Sequence, residues 1–205
     1  MKYPRSRILI FCKSPILGTV KTRMQPFLTK EQSVELHKNL VIKTIELALK
    51  SNLSPVELWC SPDFSHDFFL DILEKYPVTL HKQMGFDLGQ KMAFAITAAL
   101  DKMDSAILIG TDCPSFVSAD FEEALDLMHN QADIVISPAE DGGYTLIGMN
   151  CLSPETFENI EWGTDTVFEK TLNNISFMDR RLAILDTQWD IDRPEDLERF
   201  NKLSS

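Results

Sequence analysis

The chain has 205 residues, 20 Lys and Arg against 31 Asp and Glu, a formal net charge of −11 at pH 7, and 44% hydrophobic residues. That length and apolar fraction suffice for one sizeable core, so a single domain over 1–205 is expected. The acidic balance excludes a general affinity for nucleic acid or for an anionic membrane, both of which need clustered positive charge.

Cys12, Cys60, Cys113 and Cys151 form no C-x-x-C pair and the four histidines show no zinc-ligand spacing, so neither a disulfide framework nor a structural zinc site is indicated. The apolar run before Lys13 is too short for a signal segment, and no run approaches the ~18 residues of a membrane span. A reduced, cytoplasmic location is the expectation. The charge is uneven: seven of the 20 basic residues lie in the first thirty positions, and no acid precedes Glu31.

Ile8 to Phe11 is a short continuous apolar run, the pattern of a strand buried on both faces of a parallel sheet. Ser14-Pro15 turns the chain. Thr29 with Gln32 forms a capping box and opens a helix carrying Val34, Leu40, Val41, Ile45, Leu47 and Leu49. Val56 to Cys60 is predicted as a strand, Ser61-Pro62-Asp63 as a turn, Phe64 to Tyr76 as a helix, and Val78 to His81 as a strand. A loop from Gln83 to Gly89, a candidate lip of a cleft, leads into a helix with Met92, Ile96 and Leu100 on one stripe.

Ala106 to Ile109 is the next buried strand, running into Gly110-Thr111-Asp112-Cys113-Pro114. Ser118 with Asp120, Glu122 and Glu123 marks a helix start, because early acids complement the helix dipole. Strands follow at Ile134 to Ser137 and Tyr144 to Met149, separated by Glu140-Asp141-Gly142-Gly143. Ser153-Pro154 opens a brief helix, Trp162 to Asp165 cap the next, and Leu182 to Leu185 is the last strand before Asp190-Ile191-Asp192-Arg193-Pro194 enters a terminal helix. Strands alternating with helices imply an α/β fold with a mainly parallel sheet, and ligands in such folds bind beyond the carboxyl ends of the strands.

Three polar motifs fall at those ends. Ser14 to Thr22 is not a Walker A loop, because two residues separate Gly18 from Lys21 and the first glycine is missing. It has the makings of a looser phosphate cradle: Gly18 lets the backbone approach an anion, and Lys13, Lys21 and Arg23 supply charge-assisted hydrogen bonds. Asp112, directly after an apolar strand, is a rigid carboxylate suited to Mg²⁺; the alternative is an Asx turn before Pro114. Asp192 can cap the terminal helix, meet a metal, or do both, with Asp190 as a spare ligand. Glu140, Asp141, Gly142 and Gly143 are either turn residues or the wall of an acceptor pocket, and Trp162 and Thr164 can stack on and hydrogen-bond a sugar or acceptor.

Together these segments resemble the nucleotide-diphospho-sugar transferase superfamily with the three-layer, Rossmann-like GT-A fold. They are most similar to a bacterial glycosyltransferase-like group related to molybdenum-cofactor and phospholactate guanylyltransferases. The resemblance runs from Ile8 to about Leu197 and rests on F-x-K-x-P-x-x-G-x-V-K-T-R at Phe11 to Arg23, G-x-D-L-G at Gly85 to Gly89, G-T-D-x-P at Gly110 to Pro114, E-D-G-G-Y-x-L-I-G at Glu140 to Gly148, W-x-T at Trp162 to Thr164, and D-x-D-x-P-E-D-L at Asp190 to Leu197.

The resemblance implies donor-phosphate binding by Lys13, Pro15, Gly18, Lys21, Thr22 and Arg23, with Asp87 and Gly89 beside the nucleotide. It also implies Mg²⁺ or Mn²⁺ on Asp112 and Asp192. Lys91 stands where arginine is expected, and lysine cannot reproduce a bidentate guanidinium contact. The expected activity is a metal-dependent transfer from a nucleotide sugar to a small-molecule acceptor, with Asp112, Lys21 and Asp141 as catalytic groups and Asp141 as general base. Nucleotidyl transfer with release of pyrophosphate is the alternative, and a nucleotide-binding protein without turnover is a third.

Overall fold

The structure is a computed structural model that describes residues 1–25 and 27–203. Seven strands form one mixed sheet: β1 (Ser6–Lys13), β2 (Val56–Ser61), β3 (Thr79–Lys82), β4 (Ser105–Ile109), β5 (Ile134–Pro138), β6 (Tyr144–Met149) and β7 (Leu182–Ile184), in the order β3-β2-β1-β4-β6-β5-β7. All neighbours pair in parallel except β6, which runs antiparallel to both β4 and β5. The six helices are α1 (Lys30–Ser51), α2 (Asp67–Lys75), α3 (Leu88–Leu100), α4 (Ser118–Asn130), α5 (Val167–Ser176) and α6 (Pro194–Leu203). This is the three-layer α/β architecture expected of the sequence. Among the described residues no helix is long and apolar enough to cross a membrane.

Side-chain alternation along the strands sorts the core into two faces. Ile8 and Ile10 of β1 join Ile107 and Ile109 of β4 under Val41 and Ile45 of α1, Phe69 of α2 and Phe121 of α4. On the opposite face Leu9 and Phe11 join Leu108, Ile136 and Ile147 under Met92 and Ile96 of α3 and Ile175 of α5. A buried side chain of this size contributes about 1.5–3 kcal/mol, so both faces of the central strands must be covered, which their uninterrupted apolar runs anticipate.

Helix α1 differs in detail from its reading in the sequence. Its capping box at Thr29 is present, with Thr29 Oγ1 accepting from Gln32 N at 3.1 Å and Gln32 Oε1 accepting from Thr29 N at 2.8 Å. The stripe it buries, however, is Ser33, His37, Leu40, Val41, Thr44, Ile45 and Ala48, so polar residues sit inward while Leu47 and Leu49 are only partly covered. Helix α2 begins at Asp67 rather than Phe64, because His66 Nδ1 accepts from Phe68 N at 3.1 Å and caps it. Helix α5 is preceded by Thr166, with Trp162 to Asp165 forming the loop before it.

A third, smaller apolar cluster of Met24, Leu40, Trp189 and Ile191, edged by Leu36 and Leu197, ties the turn after β1 and the segment before α6 to α1. It brings the basic loop and the Asp190 to Asp192 stretch together, although 170 residues separate Lys21 from Ile191.

Candidate active-site cleft

Register places the functional loops at one edge of the sheet. Ile10 pairs with Leu58 on one side and Ile109 on the other, so the chain leaving β1 and the chain leaving β4 emerge side by side. Because β6 is antiparallel, Leu146 lies opposite Ile109, and the Glu140–Gly143 link from β5 arrives at the same edge. Beyond β7, Gln188 N donates to Pro138 O at 2.8 Å and Glu140 N to Gln188 O at 3.0 Å, carrying residues 188–192 alongside.

Lys21 is the knot of this edge. Its backbone is left-handed at φ 50°, unusual for a residue with a side chain. The side chain is 4% exposed, with Nζ at 2.8 Å from Asp112 Oδ1 in an ion pair and donating to Ile191 O at 2.5 Å. Ile191 N donates in turn to Asp112 O at 2.8 Å. Arg23 Nη1 meets Asp192 Oδ2 at 2.5 Å, an exposed pair at the mouth. His37, buried in α1, places Nε2 at 2.9 Å from Lys13 O and so anchors the exit of β1.

Two carboxylate oxygens stand out. Asp112 Oδ1 is buried and, despite the nearby ammonium, has no partner at hydrogen-bond geometry; Asp190 Oδ1 is buried without a partner among the described residues. Burial, then the charges of Asp112 and Asp141, push the Asp190 carboxyl up to about 7, against the opposing pull of Lys21. The one ammonium of Lys21 faces two carboxylates here, so the unpartnered Asp190 oxygen leaves the site short of positive charge. Among the described residues no group of three or more His, Cys, Asp or Glu could hold a metal alone, but Mg²⁺ ordinarily takes one or two protein carboxylates and fills its shell with water and phosphate oxygens. Asp112 and Asp190 fit that requirement, whereas Asp192 is engaged by Arg23.

Two contiguous chambers flank these oxygens. The smaller, about 460 Å³, is lined by Lys13, Lys21, Thr22, Arg23, His37 and Gln83 together with Asp112 and Asp190. The larger, about 890 Å³, is lined by Glu140, Asp141, Gly143, Trp162, Thr164 and Trp189 together with Asp190 and Asp192. The structure therefore gathers Lys13, Lys21, Thr22, Arg23, Asp112 and Asp192 around the first chamber, and Glu140, Asp141, Gly143, Trp162 and Thr164 around the second.

Five expected residues stand apart from the chamber walls. Asp87 Oδ1 accepts from Gln90 N at 2.8 Å and caps α3. Gly89 is buried because the Trp162 ring lies on it: an added Cβ would come within 2.6 Å of Trp162 Cζ2. With Asp87 it borders a separate depression edged by Pro154 and Phe157. Pro15 and Gly18 shape the loop rather than line it, Gly18 holding φ 77°. Gly142 likewise serves packing: at φ 89° its missing Cβ leaves room for Asp165 O, 2.1 Å from where that atom would stand, so the loop before α5 closes onto the β5–β6 link.

Sequence reading placed Gln83 in a candidate lip of the cleft, where it lies, but missed Trp189, Tyr144 and His37. His37 was detectable as a polar residue falling on the Leu40/Val41 face of α1; the others carry no local signal.

The protein-family description "Uncharacterized protein conserved in bacteria (DUF2064)" matches residues 44–164. A protein of Desulfovibrio desulfuricans G20, provisionally named a nucleotide-diphospho-sugar transferase, is 28% identical with a TM-score of 0.88 over 98% of this chain and 90% of that one. A nucleotidyl transferase of Methanothermobacter thermautotroptrophicus is 13% identical with a TM-score of 0.66 over 97% of each chain. A CMP:2-keto-3-deoxy-manno-octonic acid synthetase complexed with CTP is 10% identical with a TM-score of 0.63 over 98% of each chain. The chain belongs to the DUF2064 family, built on the fold that nucleotide-diphospho-sugar transferases and nucleotidyltransferases share.

Proposed function

We propose that the protein transfers a group from a nucleotide-activated donor, with glycosyl transfer from a nucleotide sugar as the first reading. The observation that carries it is the buried, unpartnered Asp190 Oδ1 beside the Lys21-paired Asp112 carboxylate, where a chamber edged by cations meets a larger one with aromatic walls. Lys13 and Arg23 take the donor's diphosphate, Thr22 adds a hydroxyl donor, and Pro15 and Gly18 set the loop's course. Lys21 acts from beneath, fixing Asp112 and the backbone of Ile191. Asp112 and Asp190, with Asp192 adjacent, would hold Mg²⁺ or Mn²⁺, which supplies charge neutralisation at the departing phosphate.

In glycosyl transfer, an acceptor hydroxyl oxygen bonds to the sugar's anomeric carbon as the bond from that carbon to the diphosphate oxygen breaks. The electron pair leaves with the nucleoside diphosphate. The hydroxyl proton passes to Asp141, whose Oδ1 is oriented by Gly143 N at 2.9 Å. The larger chamber has room for a hexose and an acceptor together, with Tyr144 and Trp162 edge to face at 6.4 Å as an apolar wall.

Nucleotidyl transfer is the second reading, supported by the fold shared with a CTP-bound synthetase. There the acceptor attacks the α-phosphorus of a nucleoside triphosphate and pyrophosphate leaves. Incubation with Mg²⁺ and panels of nucleotide sugars and nucleoside triphosphates separates the two: nucleoside diphosphate release supports the first, pyrophosphate release the second. Tight nucleotide binding with no donor consumed in either panel would leave a binding protein without turnover.

A further inference from the structure

The two chambers differ in charge, and that difference bears on what enters the larger one. Its lining carries six carboxylates, Glu140, Asp141, Asp165, Asp190, Asp192 and Asp196, and two guanidinium groups, Arg23 and Arg193. Asp190, Asp192 and Arg23 also line the first chamber and belong to the metal and donor edge; without them, and with Arg199, which pairs with Glu140 at 2.9 Å from outside the lining, four carboxylates face two guanidinium groups. Arg23 pairs with Asp192 through Nη1 at the mouth. The floor is apolar, formed by Leu108, Met92 and Ile147 from the buried face of the sheet and α3.

We propose that the larger chamber selects a hydroxyl acceptor that bears no phosphate or carboxylate, with an apolar face against the floor and a cationic amine accepted at the acidic wall. The proposal rests on the donor-site reading and names the acceptor class of that site. An added negative charge about 6 Å from one carboxylate is disfavoured roughly 100-fold at an effective dielectric of 20, reduced to about tenfold by screening in a cleft open to water. An anionic acceptor finds no compensation here, because the guanidinium groups are outnumbered. The phosphates of a donor, by contrast, meet Lys13 and Arg23 in the first chamber. The charge step thus divides the cleft into an anion-accepting half and an anion-rejecting half, with Asp190 and Asp192 at the seam.

Saturation-transfer NMR on the full chain with phenyl glucoside, its 2-amino analogue and its 6-phosphate tests this. The expected result is binding of the first two and at least about tenfold weaker binding of the 6-phosphate. The doubly substituted Asp141→Asn, Asp165→Asn protein is expected to lose most of that discrimination. Equal or tighter binding of the 6-phosphate, binding of none of the three, or discrimination unchanged in the double variant would each overturn the proposal. Nucleotide binding is measured separately by calorimetry with Mg²⁺. Its failure beside intact discrimination would sink the donor reading and leave the acceptor result standing.

Discussion

Replacement of Lys21 by methionine keeps the length and the left-handed backbone of the residue and removes its charge. The ammonium is 4% exposed and holds Asp112 Oδ1 at 2.8 Å and Ile191 O at 2.5 Å, so the variant leaves a carboxylate and a carbonyl without their donor. Breaking a fully buried ion pair costs about 3–5 kcal/mol. The Asp112 side chain is 48% exposed, so water recovers part of that loss, and the expected cost is about 2 kcal/mol. In a chain of this size that corresponds to a fall of about 4–8 °C in Tm. The acid pair also loses its opposing charge, so the Asp190 carboxyl, already pushed up to about 7, rises further. Differential scanning calorimetry of the wild type, Lys21→Met, Asp112→Asn and the double variant measures the coupling directly, since residues in contact give non-additive effects. A Tm for Lys21→Met within about 1 °C of wild type, or additive effects in the cycle, would show that the lysine is not the clamp described.

Gly142→Ala should destabilise by about 3 kcal/mol or more, because strain at φ 89° adds to a collision with Asp165 O, whereas Gly163→Ala, at φ 86° with open space around it, should cost about 1 kcal/mol; thermal melts of the two separate collision from strain. Calorimetric titration should show Mg²⁺-dependent nucleotide binding weakened roughly tenfold or more by Asp112→Asn and by Asp190→Asn. Asp192→Asn should weaken it less; loss with Asp192→Asn and none with Asp190→Asn would reassign the second ligand. Arg181 holds the Asp133 carboxyl down at about 2, so the pair's contribution is present above the unfolded carboxyl's value near 3.9 and is lost as pH falls through 2. The Tm gap between wild type and Arg181→Ala should therefore close on acidification between those values, and a constant gap would refute the linkage.

The layers of the fold were legible because their cause is local. Ile8 to Phe11 and Ala106 to Ile109 are apolar at every position, and only a strand covered on both faces buries them all. The reversal of β6 was not drawn from the sequence, although the five residues 139–143 are too few for a parallel crossover. The buried stripe of α1 was misjudged because its polar members find partners that make them tolerable inside: His37 reaches Lys13 O at the end of β1, and Thr44 donates back to Leu40 O one turn earlier in the helix.

The cleft shows where local reading stops. A carboxylate at a strand end can be seen in the sequence, but whether its charge is spent cannot, because the partner comes from elsewhere in the chain. Asp190 and Asp192 are two residues apart and equivalent as letters. In the folded chain the third apolar cluster turns Ile191 inward, Arg23 captures Asp192 at the mouth, and Asp190 is left facing Asp112 with an oxygen unpaired. The same holds for the cations: Lys21 reads as a ligand for phosphate and is instead buried against protein oxygens. On the proposed donor-site reading, the basic loop contributes in two ways, through Lys13 and Arg23 at the surface of the chamber and through Lys21 by fixing the Asp112 carboxylate.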